Sequence, residues 1–482
     1  MPELNKTKKL NLIIFSSVIV ISLAVSLLIV DFGILLPIGV IGLSIAIALQ
    51  ICLIKNVKFI IWLLVFYCFT FGILGREIGG APWGTLQEAI LLMGWLTLIF
   101  TADQHEWKNL NNDVTLLMTM WLIISILEVG NPAGASVRGW LQEIRAAALY
   151  PALTIPIGFL VLKKNKDLNI FLYMILGLSL LASLNGIKQL YIGPSPGEQR
   201  FLDDGGAMTH ILFGKLRVFS FYSDAGQFGA SQAHLGLIAL ILALGPFKTW
   251  KRIVLFVASM LMIYGMLISG TRGALFALVV GIFMAIMLSK NFKVVIIGGI
   301  VAFLFLGMLK YTAIGNGNYQ IYRLRSALDP KEASLNVRLN SQRILREYLS
   351  SRPLGGGLGV IGVWGDAYNK DKFLSRIQPD SYWVKVWAMY GIVGFVIWFG
   401  IMMYILGKCS GIVWQIEDPK LKVKMIALTS GFAGILFCSY GNEVINTAPS
   451  SYVVYLSWVF VFLSPKFEEE LRQQRDKSLN LD

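Results

Sequence analysis

Charge is scarce in this chain, and what there is leans one way. Of 482 residues, 15% are charged and 56% hydrophobic, and Lys and Arg number 42 against 28 Asp and Glu. A mean hydropathy of +0.67 is too apolar for a soluble globular protein, and that class is excluded. Cysteine is also sparse. Cys52, Cys68, Cys409 and Cys438 lie in or beside apolar runs with no CxxC or Cys/His spacing, which argues against a structural metal site or a disulfide framework. There is no tandem repeat or low-complexity tract, and the stretches outside the apolar runs are too short for an independent core. In a soluble protein a net charge of +14 would suggest nucleic acid. Here most basic residues occupy short loops between apolar runs, where they fix topology against an anionic leaflet, and no nucleic-acid partner is expected.

What is present in quantity is apolar stretches near 20 residues, the length of a membrane-spanning helix. Fourteen candidate spans fall at 11–30, 33–54, 57–75, 85–102, 113–129, 146–162, 168–187, 226–246, 252–270, 273–289, 293–310, 381–407, 423–440 and 445–464. The start, "MPELNKTKKL", is basic, and no small-residue cleavage site follows, so the first span is expected to be retained. With the N-terminus cytoplasmic, the inside loops are 55–58, 102–109, 163–167, 246–252, 289–293, 407–424 and the tail from Lys466. Each carries Lys or Arg, as the positive-inside rule requires. The expectation is an all-α polytopic membrane protein with about 12–14 transmembrane helices. N-terminal spans occupy 1–187 and an outer loop 188–225. Central spans occupy 226–310, a long outer loop with amphipathic helices 311–380, C-terminal spans 381–464 and a cytoplasmic tail 465–482.

Long outer loops escape the charge rule, so the arginines there need another cause. The loop 311–380 holds Arg323, Arg325, Arg338, Arg343, Arg346, Arg352 and Arg376 against three lysines. Solvation would be indifferent to Arg versus Lys, whereas the planar guanidinium fork grips paired phosphate or carboxylate oxygens. In "YGMLISGTRGALFALVVG" (264–281), Arg272 falls between two apolar runs, with glycines on either side. A charge at that depth marks a substrate path or a buried partner. "RVFSFYSDAGQFGA" brings Arg217, Tyr222, Asp224 and Gln227 to the outer mouth of one span. Arg145 and Asp380 lie at the outer ends of two others, and His210 in the outer loop ahead of Arg217. The pattern suits a site for a membrane-anchored, phosphate-bearing donor. "DD" at 203–204, followed by two glycines, reads as a turn, and no metal site or other cofactor is expected. "RPLGGGLGVIG" (352–362) lacks the Lys-Ser/Thr ending of a phosphate-binding loop and lies on the outer side, away from nucleotide pools.

Three segments resemble the O-antigen ligase/polymerase superfamily of bacterial inner-membrane glycosyltransferases. "SGTRGALFAL" resembles the family's Ser-Arg-Gly motif. "VRLNSQRILREYLSSRPLGGGLG" resembles its Arg-led amphipathic segment, with Arg338 as the leading arginine. "DSYWVKVWAMYGIVGF" resembles its His-Asn-x-Tyr…Gly-x-x-Gly helix start, and "FYSDAGQFGA" echoes the segment before an apolar span. Asp380 falls where the ligases have a histidine. The resemblance implies a GT-C-like fold and a donor of undecaprenyl pyrophosphate carrying a glycan. It further implies transfer at the periplasmic face of the inner membrane to a hydroxyl of lipid A core, a growing glycan or a protein.

On that resemblance, Arg272 and Arg338 stabilise the departing pyrophosphate, with Arg217, Arg343 and Arg145 in support. Asp380, or second Asp224, takes the acceptor proton; His210 is a substitute base. Gln227 gathers at the same mouth, and Tyr222 and Trp364 are candidates for stacking on sugar rings. Two other readings are a polymerase joining lipid-linked repeats and a transporter for a lipid-linked sugar. A transporter calls for charges part-way through several spans and for symmetry between halves, neither of which is evident.

Overall fold

The computed structural model describes residues 47–80, 83–290, 319–326 and 333–479, with isolated positions at 44 and between 296 and 312. The span predicted at 11–30, most of that at 293–310 and much of that at 33–54 lie outside the described residues. Among these residues the protein is almost wholly helical. Nine helices are long and apolar enough to cross a membrane, so the chain is an all-α polytopic membrane protein. In chain order the helices used below are α1 (Phe59–Glu77), α2 (Leu86–Phe100), α3 (Asp113–Leu127), α4 (Val137–Val161), α5 (Asn165–Tyr191), α6 (Ala225–Ala243), α7 (Thr249–Ile268) and α8 (Gly273–Leu288). They continue with α9 (Tyr319–Ser326), α10 (Ala333–Leu349), α11 (Gly362–Tyr368), α12 (Tyr382–Gln415), α13 (Pro419–Cys438) and α14 (Ser450–Leu479).

Local chemistry fixes where these helices begin. Asp224 caps α6 by accepting from the Gln227 amide at 3.0 Å, and Ser381 caps α12 by accepting from Val384 N at 3.3 Å. Asp418 caps α13 by accepting from Leu421 N at 2.9 Å, ahead of a proline at the first helical position, where its missing N–H costs nothing. The most enclosed helix is α6, packed against α7, α8 and α13.

The predicted inside loops collect at one end of the bundle. Lys58 pairs with Asp167 at 2.6 Å, and Lys466 donates to Asn109 at 2.9 Å. Arg472 and Arg475 each lie 2.8 Å from Glu417 and Asp418 respectively. The loops around 209–224, 269–273, 353–381 and 439–449 gather at the other end.

Two boundaries differ from the expectation. The span predicted to begin at 146 begins at Val137, because Arg138, Gln142 and Glu143 break the apolar run without breaking the helix; a widened turn at Arg145–Leu149 marks the join. At the other end the helix itself runs past the expected span limit at 464, since α14 continues unbroken to Leu479.

Helix α12 is interrupted at Gly391, whose φ of 67° belongs to the left-handed region. The glycine-rich loop fills the break. Gly356 and Gly357 donate to the carbonyls of Ala388 and Met389, each at 2.9 Å, and Val393 donates to Pro353 O at 3.2 Å. Backbone groups freed by the kink are thereby satisfied from another segment. The same loop docks on the start of α4: Asn369 donates to Gly359 O at 2.9 Å and accepts from Ser136 N at 2.7 Å.

Candidate functional site

The site is built on the tight turn between α7 and α8. Ser269 donates through its hydroxyl to Met266 O at 2.7 Å and accepts from Thr271 N at 3.1 Å. Thr271 donates to Ala225 O at 2.8 Å, fastening the turn to the start of α6. Arg272 follows, half-buried at the head of α8.

A two-residue hairpin brings the second arginine. Strands β1 (Ile211–Leu212) and β2 (Lys215–Leu216) pair antiparallel around Phe213 and Gly214, both at positive φ, the conformation that suits a tight hairpin turn. Arg217 leaves this hairpin with Nε 3.2 Å from Ser269 O, Nη1 3.1 Å from Thr209 O and Nη2 3.4 Å from the Thr271 hydroxyl. Arg323, from α9, donates through Nε to Gly270 O at 2.5 Å. Arg338, from α10, meets Asp380 at 3.4 Å, with their side chains 32% and 57% exposed.

These four arginines line one cavity of about 920 Å³, together with Asp224 and Asp380. Its other wall is apolar, formed by Phe276, Val280, Trp383, Phe437 and Tyr440. Phe276 and Phe437 are 45% and 36% exposed on the outside of the bundle, where a membrane protein meets lipid. The cavity thus joins a cationic end to an apolar flank.

Of the predicted site residues, Arg217, Asp224, Arg272, Arg338, Asp380 and His210 meet at this cavity. The others do not. Arg145 is held by Glu88 and, at 2.7 Å, by Gln142, which makes it a structural ion pair away from the cavity. Tyr222 is 1% exposed, with its hydroxyl 2.9 Å from Ser231; a ring so enclosed offers no face to a sugar. Gln227 is buried and donates to the Glu443 carbonyl. Arg343 points to solvent on α10, while Arg338 and Gln342 of that helix line the cavity. Trp364 stacks on Tyr368 at 6.1 Å between ring centroids, on α11 and outside the lining.

His210 lies at the cavity, but its ring is fully engaged. Nδ1 donates to Gly206 O at 2.9 Å, and Nε2 accepts from Ala225 N at 3.2 Å. Burial holds its pKa below the ordinary value, against the pull of the Gly206 carbonyl and Asp224. Nε2 is already an acceptor for a backbone amide, so this imidazole cannot also take a substrate proton. Asp224 is constrained in the same way, since its two oxygens accept from Gln227 N and from the Ser223 hydroxyl at 2.9 Å. Among the described residues Asp380 is left as the exposed carboxylate of the lining.

Three features escaped the sequence. Arg323 was one arginine among many in its loop. Asn442, which packs on Gly273, sits in a short break between spans. The third is a buried cluster in which Lys385 lies 3.0 Å from Glu143 and 2.9 Å from Glu443, joining α12, α4 and the loop after α13. Burial raises the Glu443 pKa, with Lys385 opposing. A lysine inside a predicted span was the signal available for this cluster, because such a charge needs a partner.

No curated protein matches the chain. Residues 257–399, from α7 through the first half of α12, match the family described as O-antigen ligase. That segment holds Arg272, Arg323, Arg338 and Asp380, and over it the chain is similar to the O-antigen ligase family, whose members act on lipid-linked glycans.

Proposed function

We propose that the cavity is the catalytic centre of a glycosyltransferase that moves a glycan from undecaprenyl pyrophosphate to an acceptor hydroxyl at the periplasmic face of the bacterial inner membrane. The observation that carries this reading is the convergence of Arg217, Arg272, Arg323 and Arg338 on one cavity with an apolar flank. A polyprenyl diphosphate has the same two-part chemistry, an anionic head on an apolar chain. The head lies among the guanidiniums, and the chain leaves past Phe276 and Phe437.

Asp380 accepts the acceptor's hydroxyl proton, and that oxygen forms a bond to the anomeric carbon. The bond from this carbon to the diphosphate oxygen breaks, and the electron pair leaves with polyprenyl diphosphate. Attack opposite the leaving group inverts the anomeric centre. Charge grows on the diphosphate as the bond breaks, and guanidiniums already oriented there lower the barrier without reorganising, with no metal required. Arg338 orients the carboxylate of Asp380 through their contact at 3.4 Å.

The test is reconstitution with a lipid-linked oligosaccharide, with products analysed separately on lipid A core, on lipid-linked glycan and on protein. Glycan on lipid A core identifies a ligase, longer lipid-linked chains a polymerase, and glycosylated Ser or Thr a protein glycosyltransferase. No transfer to any acceptor overturns the reading. Arg272→Lys keeps the charge but loses the paired fork, and kcat/KM should fall at least about tenfold. Full turnover in that variant removes Arg272 from the role.

A further inference from the structure

Helix α11 abuts the cavity on its carboxylate side without entering the lining. A Cβ on Gly362, its first residue, would lie 3.7 Å from Cγ of Pro379, the residue before Asp380. Gly365 is seated as closely, since a Cβ there would meet Val360 O at 2.5 Å and Cα of Ser375 at 3.3 Å. Asn369 fixes the far end. Its amide donates to Gly365 O at 2.9 Å, and its side chain is held between Gly359 and Ser136. The helix therefore lies flush on the glycine-rich loop, and its outer face is preorganised.

That face carries two rings. Trp364 and Tyr368, one turn apart and so on the same side, stand with centroids 6.1 Å apart and planes 20° apart, an offset pair. Trp364 is half-buried, and Tyr368 and the neighbouring Val363 are exposed. Other tryptophans at this end, Trp83, Trp140 and Trp383, donate Nε1 to the carbonyls of Ile78, Ser125 and Leu436. Among the described residues no such partner meets the indole N–H of Trp364 or the hydroxyl of Tyr368. Exposed Asp366, Lys370 and Asp371 flank the pair along the chain. Such charges would be costly against hydrocarbon, which sets this face in water.

Open rings with polar groups at their edges suit carbohydrate. A pyranose presents polarised C–H bonds on one face and hydroxyls around its rim. The C–H face rests on the negative face of an aromatic ring, and the hydroxyls reach an indole N–H, a phenol or a carboxylate such as that of Asp366. We infer that Trp364 and Tyr368 form a glycan-binding platform for the acceptor, holding sugars beyond the one whose hydroxyl reaches Asp380. The inference rests on the transferase reading proposed above and narrows it: the acceptor is a carbohydrate chain rather than a polypeptide. The acceptor falls on this side because α11 touches the segment of the proposed base, whereas the guanidiniums proposed to hold the diphosphate gather at the turn between α7 and α8. The rings lie outside the cavity lining, so they act on affinity and not on bond-making.

The experiment uses the purified full-length chain in lipid nanodiscs, with a lipid-linked oligosaccharide as donor and lipid A core, lipid-linked repeat and a Ser/Thr-rich peptide as separate acceptors. Trp364→Ala and Tyr368→Ala should each raise the KM for a glycan acceptor by about five- to tenfold, the effect of losing one ring contact. Their kcat and donor KM should stay within about threefold of wild type. Trp364→Phe keeps a ring and should recover most of the affinity. Tyr368→Ala, at an exposed position, carries the test if Trp364→Ala does not fold. Trp250→Ala removes an exposed ring at the opposite end and should change no kinetic constant. Unfolding midpoints are recorded for each variant in nanodiscs and in detergent. Unchanged acceptor KM in both alanine variants overturns the platform and leaves the transferase reading intact. If their midpoints then fall in nanodiscs alone, the rings are membrane anchors. A fall in kcat at constant acceptor KM also overturns the binding role, as does transfer by the wild type to peptide alone. A wild type that glycosylates none of the three acceptors overturns the transferase reading and the platform with it.

Discussion

Arg338, on α10, and Asp380, in the loop just ahead of α12, meet at 3.4 Å over the cavity, which makes the carboxylate testable alone. Asp380→Asn preserves size and removes the proposed proton acceptor. Its kcat should fall by about 10²- to 10⁴-fold, with the donor KM little changed, as steady-state kinetics on the reconstituted enzyme would show. His210 should behave differently, because its nitrogens serve the backbone. Folding holds it neutral, with a pKa lowered from 6.5, so below that value the unfolded chain binds a proton that the folded chain does not. Stability is therefore full above it and is lost as pH falls toward the folded pKa. The unfolding midpoint of His210→Gln should drop less between pH 7.5 and 5.5 than that of wild type. Its kcat per folded molecule should stay within about threefold, since no proton transfer passes through this ring. At this scale the sequence was readable where residue type alone carried the argument, as in the preference for arginine. It misled where a distant partner decided the role: nothing near Arg145 announces Glu88, and nothing near Gln227 announces the carbonyl of Glu443.

The break in α12 explains why two glycine motifs occur in one chain. At 34 residues, this helix would measure about 51 Å if straight, well beyond a hydrocarbon core of about 30 Å. Gly391 divides it into a short first segment that begins just after Asp380 and carries Trp383 at the cavity, and a longer segment able to cross. A Cβ at Gly391 would run into Pro353 O and Gly355 N, and its φ of 67° adds strain. Gly391→Ala should destabilise the protein by roughly 1–3 kcal/mol or more, with turnover falling alongside the unfolding midpoint. A parallel loss in Gly355→Ala would trace the effect to the inserted loop. Apolar runs made most helices legible, including the alternation of their loops. The pairing of "PLGGG" with "YGIVG" was not legible, because it is made by backbone groups that no side-chain pattern encodes.

For the molecule as a whole, the proposed orientation can be read by chemistry at its two ends. Cys52 is the exposed native thiol among the described residues, whereas Cys68, Cys409 and Cys438 are buried. In a Cys52→Ser background, Ser350→Cys at the cavity end and Lys420→Cys at the opposite end both present exposed positions. A membrane-impermeant maleimide applied from the periplasmic side should label the first and spare the second; the reverse pattern inverts the topology and removes the proposed site from that face. Between these ends runs α13, 20 residues long, or about 30 Å. At its foot, Glu468 of α14 accepts from the amides of Glu417 and Asp418, each at 2.7 Å, while Arg475 holds the capping Asp418. At its head, Phe437 and the adjoining Tyr440 form part of the apolar wall. Between its foot and its head α13 is packed against α6, α8, α12 and α14, so both tips belong to one tightly held stack. On the proposed reading, loosening the charged C-terminal stretch at the foot would therefore be felt as a changed fit for the donor's lipid chain at the head.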